Sequence, residues 1–240
     1  MAIKAVIFDM DGTINRSVSY YKAYEGYATS ILAEFLQLPR KQVNAKMRAL
    51  RKTATGFTKR VESLGLPRSV FYEQMAARVP CDELIKADVN LKAMLKELRK
   101  EGYKLALLTN TGMPLAEKII AALGISSDMF DVVATSTETG LKPDDEPYLY
   151  VAHQLEVPLR DSVYVGDRYE MEIDTAKRLG MKTVLIDNSF LEDSSRRGYS
   201  DHIVDNIYQV PALLKVINKR RRRLYRSSTL SRLRPQLQRR

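Results

Sequence analysis

The sequence predicts an α/β protein: a doubly wound parallel sheet of five strands, with a helical segment inserted after the first strand. Three observations carry this. Five short runs, Ile3–Phe8, Lys104–Thr109, Val132–Thr135, Val163–Val165 and Thr183–Ile186, are rich in Val, Ile and Leu and apolar on both faces. Such runs suit strands covered by helices on both sides. Helical patterns lie between the later runs, and that alternation means a parallel sheet sandwiched by helices. The interval from about Ser17 to Asp88 breaks the alternation, because it holds helical stretches and no strand-like run.

Each element has its own signal. The insertion reads as helices over Tyr20 to Leu38, Lys41 to Arg51, Thr58 to Leu64 and Ser69 to Arg78, broken at Pro39, Gly56, Gly65-Leu66-Pro67 and Pro80. It is too large for a loop between a strand and a helix. Leu91, Met94, Leu95 and Leu98 recur at helical spacing before Gly102. Pro114 suits a first helical turn, with Leu115, Ile119, Ile120 and Leu123 following before Gly124. Pro147 to Leu155 and Glu170 to Leu179 repeat the pattern, the second stopped by Gly180.

Candidate chemistry sits where the strands end. Phe8-Asp9-Met10-Asp11-Gly12-Thr13 puts two carboxylates two residues apart at the end of the first strand. An acidic turn is the plain alternative, since Asp-Gly is a common turn pair. The second strand runs into Thr109-Asn110-Thr111-Gly112, where a hydroxyl beside turn N–H groups can bond a phosphoryl oxygen. Gly140-Leu141-Lys142-Pro143 follows the third strand and offers a cation. The fourth runs into Gly166-Asp167-Arg168-Tyr169-Glu170-Met171-Glu172, again placing carboxylates at a strand end and a helix start. In doubly wound sheets the ligand crevice forms at the carboxyl ends, where strand order reverses. With strand order 3-2-1-4-5, Asp9, Asp11 and Asp167 converge there. Three carboxylates repel unless a cation joins them, and hard oxygen donors suit Mg²⁺.

These four pieces, in this order, resemble the haloacid dehalogenase-like hydrolase superfamily over residues 1 to about 210, specifically its phosphatase branch with a Rossmann-like sheet and a helical cap. The resemblance implies Asp9 as nucleophile, Asp11 as general acid/base, Thr109 as phosphoryl-binding hydroxyl and Lys142 as the neutralising lysine. It implies Mg²⁺ as cofactor, held by Asp9, Asp11 and Asp167, with a further acid at Glu172 or, in competition, Asp174. Asn110 and Arg16 join Thr109 and Lys142 as substrate-binding candidates. The activity implied is hydrolysis of a small phosphorylated metabolite through an aspartyl-phosphate. It divides the chain into a hydrolase core at 1–16 and 89–218, a helical cap at 17–88 and a basic, exposed tail at 219–240.

Charge and composition bound the rest. Hydrophobic content of 45% and charged content of 28% suit a globular domain. No uncharged stretch reaches the ~18 apolar residues of a bilayer span. Met1-Ala2-Ile3-Lys4 leads straight into a strand without a signal-peptide layout. The lone Cys81 excludes an internal disulfide and fits a reducing cytoplasm. Of the 39 basic residues, 11 fall from Lys215 to Arg240 with no acid among them, leaving residues 1–214 with 28 basic against 29 acidic groups. The tail therefore carries the excess charge of +10 and is a candidate for weak contact with nucleic acid or an anionic membrane. Inside the insertion, Tyr20, Tyr21, Tyr24 and Tyr27 mark the first helix. From Arg40 to Arg60 there are eight basic residues and no acidic one. That run is either a solvated face or a preference for substrates with a second negative group. Rival activities are a phosphosugar mutase, a carbon–halogen hydrolase, which needs no acid such as Asp11, and an inactive core serving its tail.

Overall fold

A computed structural model describes residues 2–187 and 200–219. Six parallel strands form one sheet in the order β3-β2-β1-β4-β5-β6: β1 (Ala5–Phe8), β2 (Lys104–Thr109), β3 (Val132–Thr135), β4 (Ser162–Gly166), β5 (Lys182–Ile186) and β6 (His202–Val204). The sequence reading expects five strands. The sixth has only three residues, too few for a periodic pattern, and side-chain bonds fix its position. Asp201 Oδ2 accepts from Thr183 N at 3.0 Å, and Asp201 N donates to Thr183 Oγ1 at 3.0 Å.

Alternation along the strands sends side chains to opposite faces. Val6, Phe8, Leu107, Val165 and Val184 join one apolar core. Ala5, Ile7, Leu108, Tyr164 and Leu185 join the other. Burying each large apolar side chain contributes roughly 1.5–3 kcal/mol, so strands covered on both faces anchor the fold. The helices on the sheet are α6 (Val89–Lys100), α7 (Met113–Ala122), α8 (Ser136–Thr139), α9 (Glu146–Leu155) and α10 (Asp174–Arg178). Residues 210–219 are also helical. Asn218 Oδ1 in that helix accepts from Ile3 N at 2.7 Å, tying it to the start of β1. The remainder of the basic tail expected at 219–240 lies outside the described residues. No helix among the described residues is long and apolar enough to cross a membrane.

Between β1 and α6 run α1 (Val18–Leu36), α2 (Arg40–Ala49), α3 (Phe57–Ser63), α4 (Arg68–Arg78) and α5 (Cys81–Leu84). Ser17 starts α1: its Oγ accepts from Tyr20 N at 3.2 Å and donates to Leu84 O at 2.5 Å. One hydroxyl thus joins the two connections between the helices and the sheet. A chain of rings fills the interior of the insertion, from Tyr20 to Tyr24, Phe57, Phe71 and Tyr72, with centroids 5.1–6.1 Å apart. Cys81 is buried among these helices, and burial pushes its thiol up to about 11.

Candidate active site

β1 and β4 lie side by side across the point where strand order reverses. Phe8 pairs with Val165, and Asp9 N donates to Val165 O at 2.9 Å. Asp9 and Asp167 therefore leave adjacent strand ends together. The turn after Asp9 is tight, with Met10 O accepting from the N–H groups of Ile14 at 3.0 Å and Asn15 at 2.8 Å. Gly12 has φ +98°, and a Cβ on it would lie 1.9 Å from Asp167 Oδ2. A Cβ on Gly166 would lie 2.2 Å from Glu172 Oε2. Both glycines leave room for carboxylates, which explains their place in the two acidic motifs.

Asp9, Asp167 and Glu172 are buried, each offering an oxygen within 4.8 Å of the others. Glu172 reaches them from a wide turn over Tyr169–Ile173, where Ile173 N bonds back five residues to Arg168 O at 3.3 Å. Asp174 is exposed and accepts from the Tyr169 hydroxyl at 3.2 Å, so it stands outside the cluster. Burial and repulsion from Asp9 hold the Glu172 carboxyl well above the usual carboxylate range, despite Lys142 beside it. Asp9 Oδ2 is buried without a hydrogen-bond partner among the described residues. An orphaned carboxylate oxygen among three acids, all hard donors, fits a small divalent cation.

Lys142 compensates part of this charge. Its Nζ lies 2.5 Å from Asp9 Oδ1, 2.8 Å from Glu172 Oε1, 2.9 Å from Leu108 O and 3.0 Å from the Tyr164 hydroxyl. An ammonium has three protons, so these four oxygens saturate it. Burial disfavours its charge, but Asp9 and Glu172 outweigh that and raise its pKa. Asn110 fixes its backbone from both sides: its amide donates to Lys142 O at 2.9 Å and its oxygen accepts from Lys142 N at 2.8 Å. The sequence offers Asn110 as a substrate-binding candidate, and in the structure both ends of its side chain bond the Lys142 backbone.

Asp11 is held apart from the three acids. Thr111 Oγ1 donates to its Oδ2 at 2.7 Å and Asn15 Nδ2 to its Oδ1 at 3.2 Å. Burial, then the charge of Asp9, raise its pKa. Thr109 is buried, and its Oγ1 accepts from Thr111 N at 3.0 Å, leaving its own proton to donate. Arg16 lines a hollow with Asp88 and Tyr208, whose lining includes none of Asp9, Asp167 and Glu172.

Sequence reasoning missed two groups, Thr111 and Arg168. Thr111 lies within a motif that it recognised, but nothing local shows its hydroxyl turning back to Asp11. Arg168 is exposed at the rim; desolvation opposes its charge, and Asp167, Glu172 and Asp9 outweigh it and raise its pKa. Tyr21 donates to Asn15 O at 3.1 Å, and burial, then Asp11 and Asp167, push its phenol well above the usual range. Of the four insertion tyrosines, Tyr21 is thus tied most directly to the acidic loop.

The model of the haloacid dehalogenase-like hydrolase family matches residues 3–180. The chain belongs to that family. This hydrolase is 37% identical over 128 residues to a glyceraldehyde 3-phosphate phosphatase of Methanocaldococcus jannaschii, a match over 52% of this chain and 55% of that one. The chain thus spans about half the length of that curated relative. It is 26% identical over 215 residues to an N-acetylmuramic acid 6-phosphate phosphatase of Pseudomonas aeruginosa, covering 86% of this chain and 92% of the relative. A crystal structure of a HAD phosphatase from Thermococcus onnurineus superposes with a TM-score of 0.64 at 22% identity, over 88% of this chain and 97% of that one. At that identity the likeness shows the fold.

Proposed function

We propose that this hydrolase is a Mg²⁺-dependent phosphomonoester hydrolase acting on a small phosphorylated metabolite through an aspartyl-phosphate on Asp9. The observation that carries it is the division of labour between two carboxylates. Asp9 has one oxygen on Lys142 and the other without a partner among the described residues, while Asp11, two residues on, is held by Thr111 and Asn15. The phosphatase relatives support the same reading.

Asp9 attacks phosphorus as a carboxylate nucleophile, and the bond to the ester oxygen breaks. Asp11 gives the departing alcohol its proton. Asp11 then takes a proton from water as the water attacks phosphorus, which breaks the bond to Asp9 and releases phosphate. General acid–base help of this kind is worth ~10²–10⁴-fold. Lys142 and the Thr109 hydroxyl stabilise charge on the phosphoryl oxygens, the main task in such transfers. Asp9, Asp167 and the backbone carbonyl of Asp11, with Glu172, would hold Mg²⁺. When bound, the ion supplies positive charge against the transferring group.

In this reading residues 17–88 form a cap that keeps water from the site. Three contacts support that role. A Cβ on Gly56 would lie 3.1 Å from Met171 Cε, Thr58 Oγ1 lies 3.4 Å from Asn110 O, and Tyr21 reaches Asn15. The test is hydrolysis of p-nitrophenyl phosphate by the full chain, with Mg²⁺ and with excess EDTA. Turnover that needs Mg²⁺ is expected; full activity in EDTA would remove the metal from the account.

A further inference from the structure

We propose that the arginine-lined cavity among α1, α2 and α3 is a second anion subsite, and that the substrate is a phosphate ester carrying another negatively charged group, a phosphate or carboxylate. This rests on phosphomonoester hydrolysis at Asp9. The cavity has a volume of about 280 Å³ and is lined by Arg40, Arg48, Arg51, Arg60, Phe57 and Glu25, among others. Four guanidiniums thus face one carboxylate. None of the four forms an ion pair among the described residues, whereas Arg68, Arg78 and Arg178 all do.

Arg60 is the telling residue. Its guanidinium lies over the Phe57 ring, 5.6 Å from the centroid, and its Nε is buried without a hydrogen-bond partner among the described residues. Burial lowers its pKa, and the nearby charges of Arg51 and Arg168 lower it further, against Glu25 alone. Arg60 is the partly buried one of the four, since Arg40, Arg48 and Arg51 are exposed, and partial desolvation of a charge without a partner is costly. A dianion offers what is missing, since guanidiniums bind phosphate and carboxylate oxygens with paired N–H donors. Arg40, by contrast, donates to Gly26 O at 3.0 Å and is exposed, so it supports the rim.

The Phe57 end of the cavity is the end next to the sheet. Arg60 feels Arg168, and Arg168 feels Asp167, Glu172 and Asp9. Gly56, just before Phe57, packs against Met171, the neighbour of Glu172. In this proposal one molecule presents a phosphoryl group to Asp9 and a second anion to Arg60 and Arg51. Neutral sugar phosphates would leave the arginines unmatched.

The test uses calorimetric binding to the full chain carrying Asp9→Asn, so that ligand is not consumed. Two matched pairs serve as probes: fructose 6-phosphate against fructose 1,6-bisphosphate, and glycerol 3-phosphate against 3-phosphoglycerate. In at least one pair the ligand with the extra anion should bind tenfold or more tightly. Adding Arg60→Gln, or separately the exposed Arg51→Gln, should bring that ratio down at least fivefold. A ratio near one in both pairs overturns the proposal, as does a ratio that survives both substitutions. Hydrolysis of p-nitrophenyl phosphate by the unsubstituted chain separates the two claims. Turnover without any ratio refutes the subsite alone, and a ratio without turnover refutes the activity alone.

Discussion

The sheet end and the arginine cavity are both highly charged, and they treat charge in opposite ways. At the sheet end, Lys142 is buried but meets two carboxylates, a carbonyl and a phenol within 3.0 Å. In the cavity, four arginines share the lining with a single glutamate. The first site is pre-assembled for a reaction, and its protein groups already oppose one another. The second leaves charge unmatched, which suits a surface completed by its ligand. The contrast separates fixed chemistry from selectable specificity, and it can be pressed by substitution.

The largest effect is expected at Lys142. Lys142→Met would strand Asp9 and Glu172 in the interior, and breaking a buried pair costs about 3–5 kcal/mol. Urea unfolding without added metal should show that loss, and turnover of p-nitrophenyl phosphate should vanish. A variant as stable as the parent would mean that the cluster is not charge-matched as described. A smaller effect is expected at Thr111, whose hydroxyl orients Asp11. A hydrogen bond to a charged group is worth about 1.5–3 kcal/mol, so Thr111→Val should lower kcat about 10- to 100-fold. KM should change little, because Thr111 holds the acid and does not hold the ester; a change in KM alone would reassign it to substrate binding. The smallest effect is expected in the cavity. Arg51→Gln removes a like charge and no partner, so thermal unfolding should shift by no more than about 0.5 kcal/mol, toward greater stability if at all. A loss of 2 kcal/mol or more would show that Arg51 is structurally paired.

Much of the sheet was legible in the sequence because each buried strand is one contiguous apolar run, and each motif starts where its run ends. Once β1 and β4 are neighbours, Asp9 and Asp167 must meet, since Phe8 and Val165 are in register. The choice between Glu172 and Asp174 was not legible. It depends on the wide turn over Tyr169–Ile173, a five-residue hydrogen-bonded step that no local residue pattern marks. Strand β6 escaped notice because its three residues are placed by the reciprocal bonds of Asp201 and Thr183, a tertiary cause. Arg16 is close in sequence to the Asp9–Thr13 motif, and it lines the hollow beside Asp88 and Tyr208, a placement that nearness in sequence does not give. Arg60 stood within a basic run indistinguishable from a solvated face; only burial of its Nε sets it apart.

The account stands or falls on Asp9 as the nucleophile. The direct measurement is acid quenching of the full chain during turnover of a ³²P-labelled phosphomonoester with Mg²⁺, followed by counting label bound to protein. The parent chain should carry acid-stable, base-labile label, as an acyl-phosphate does, and Asp9→Asn should carry none. The same substitution should lower turnover by more than about 10⁴-fold, as loss of a nucleophile does. Label retained by Asp9→Asn, or near-normal turnover by it, would contradict the central claim.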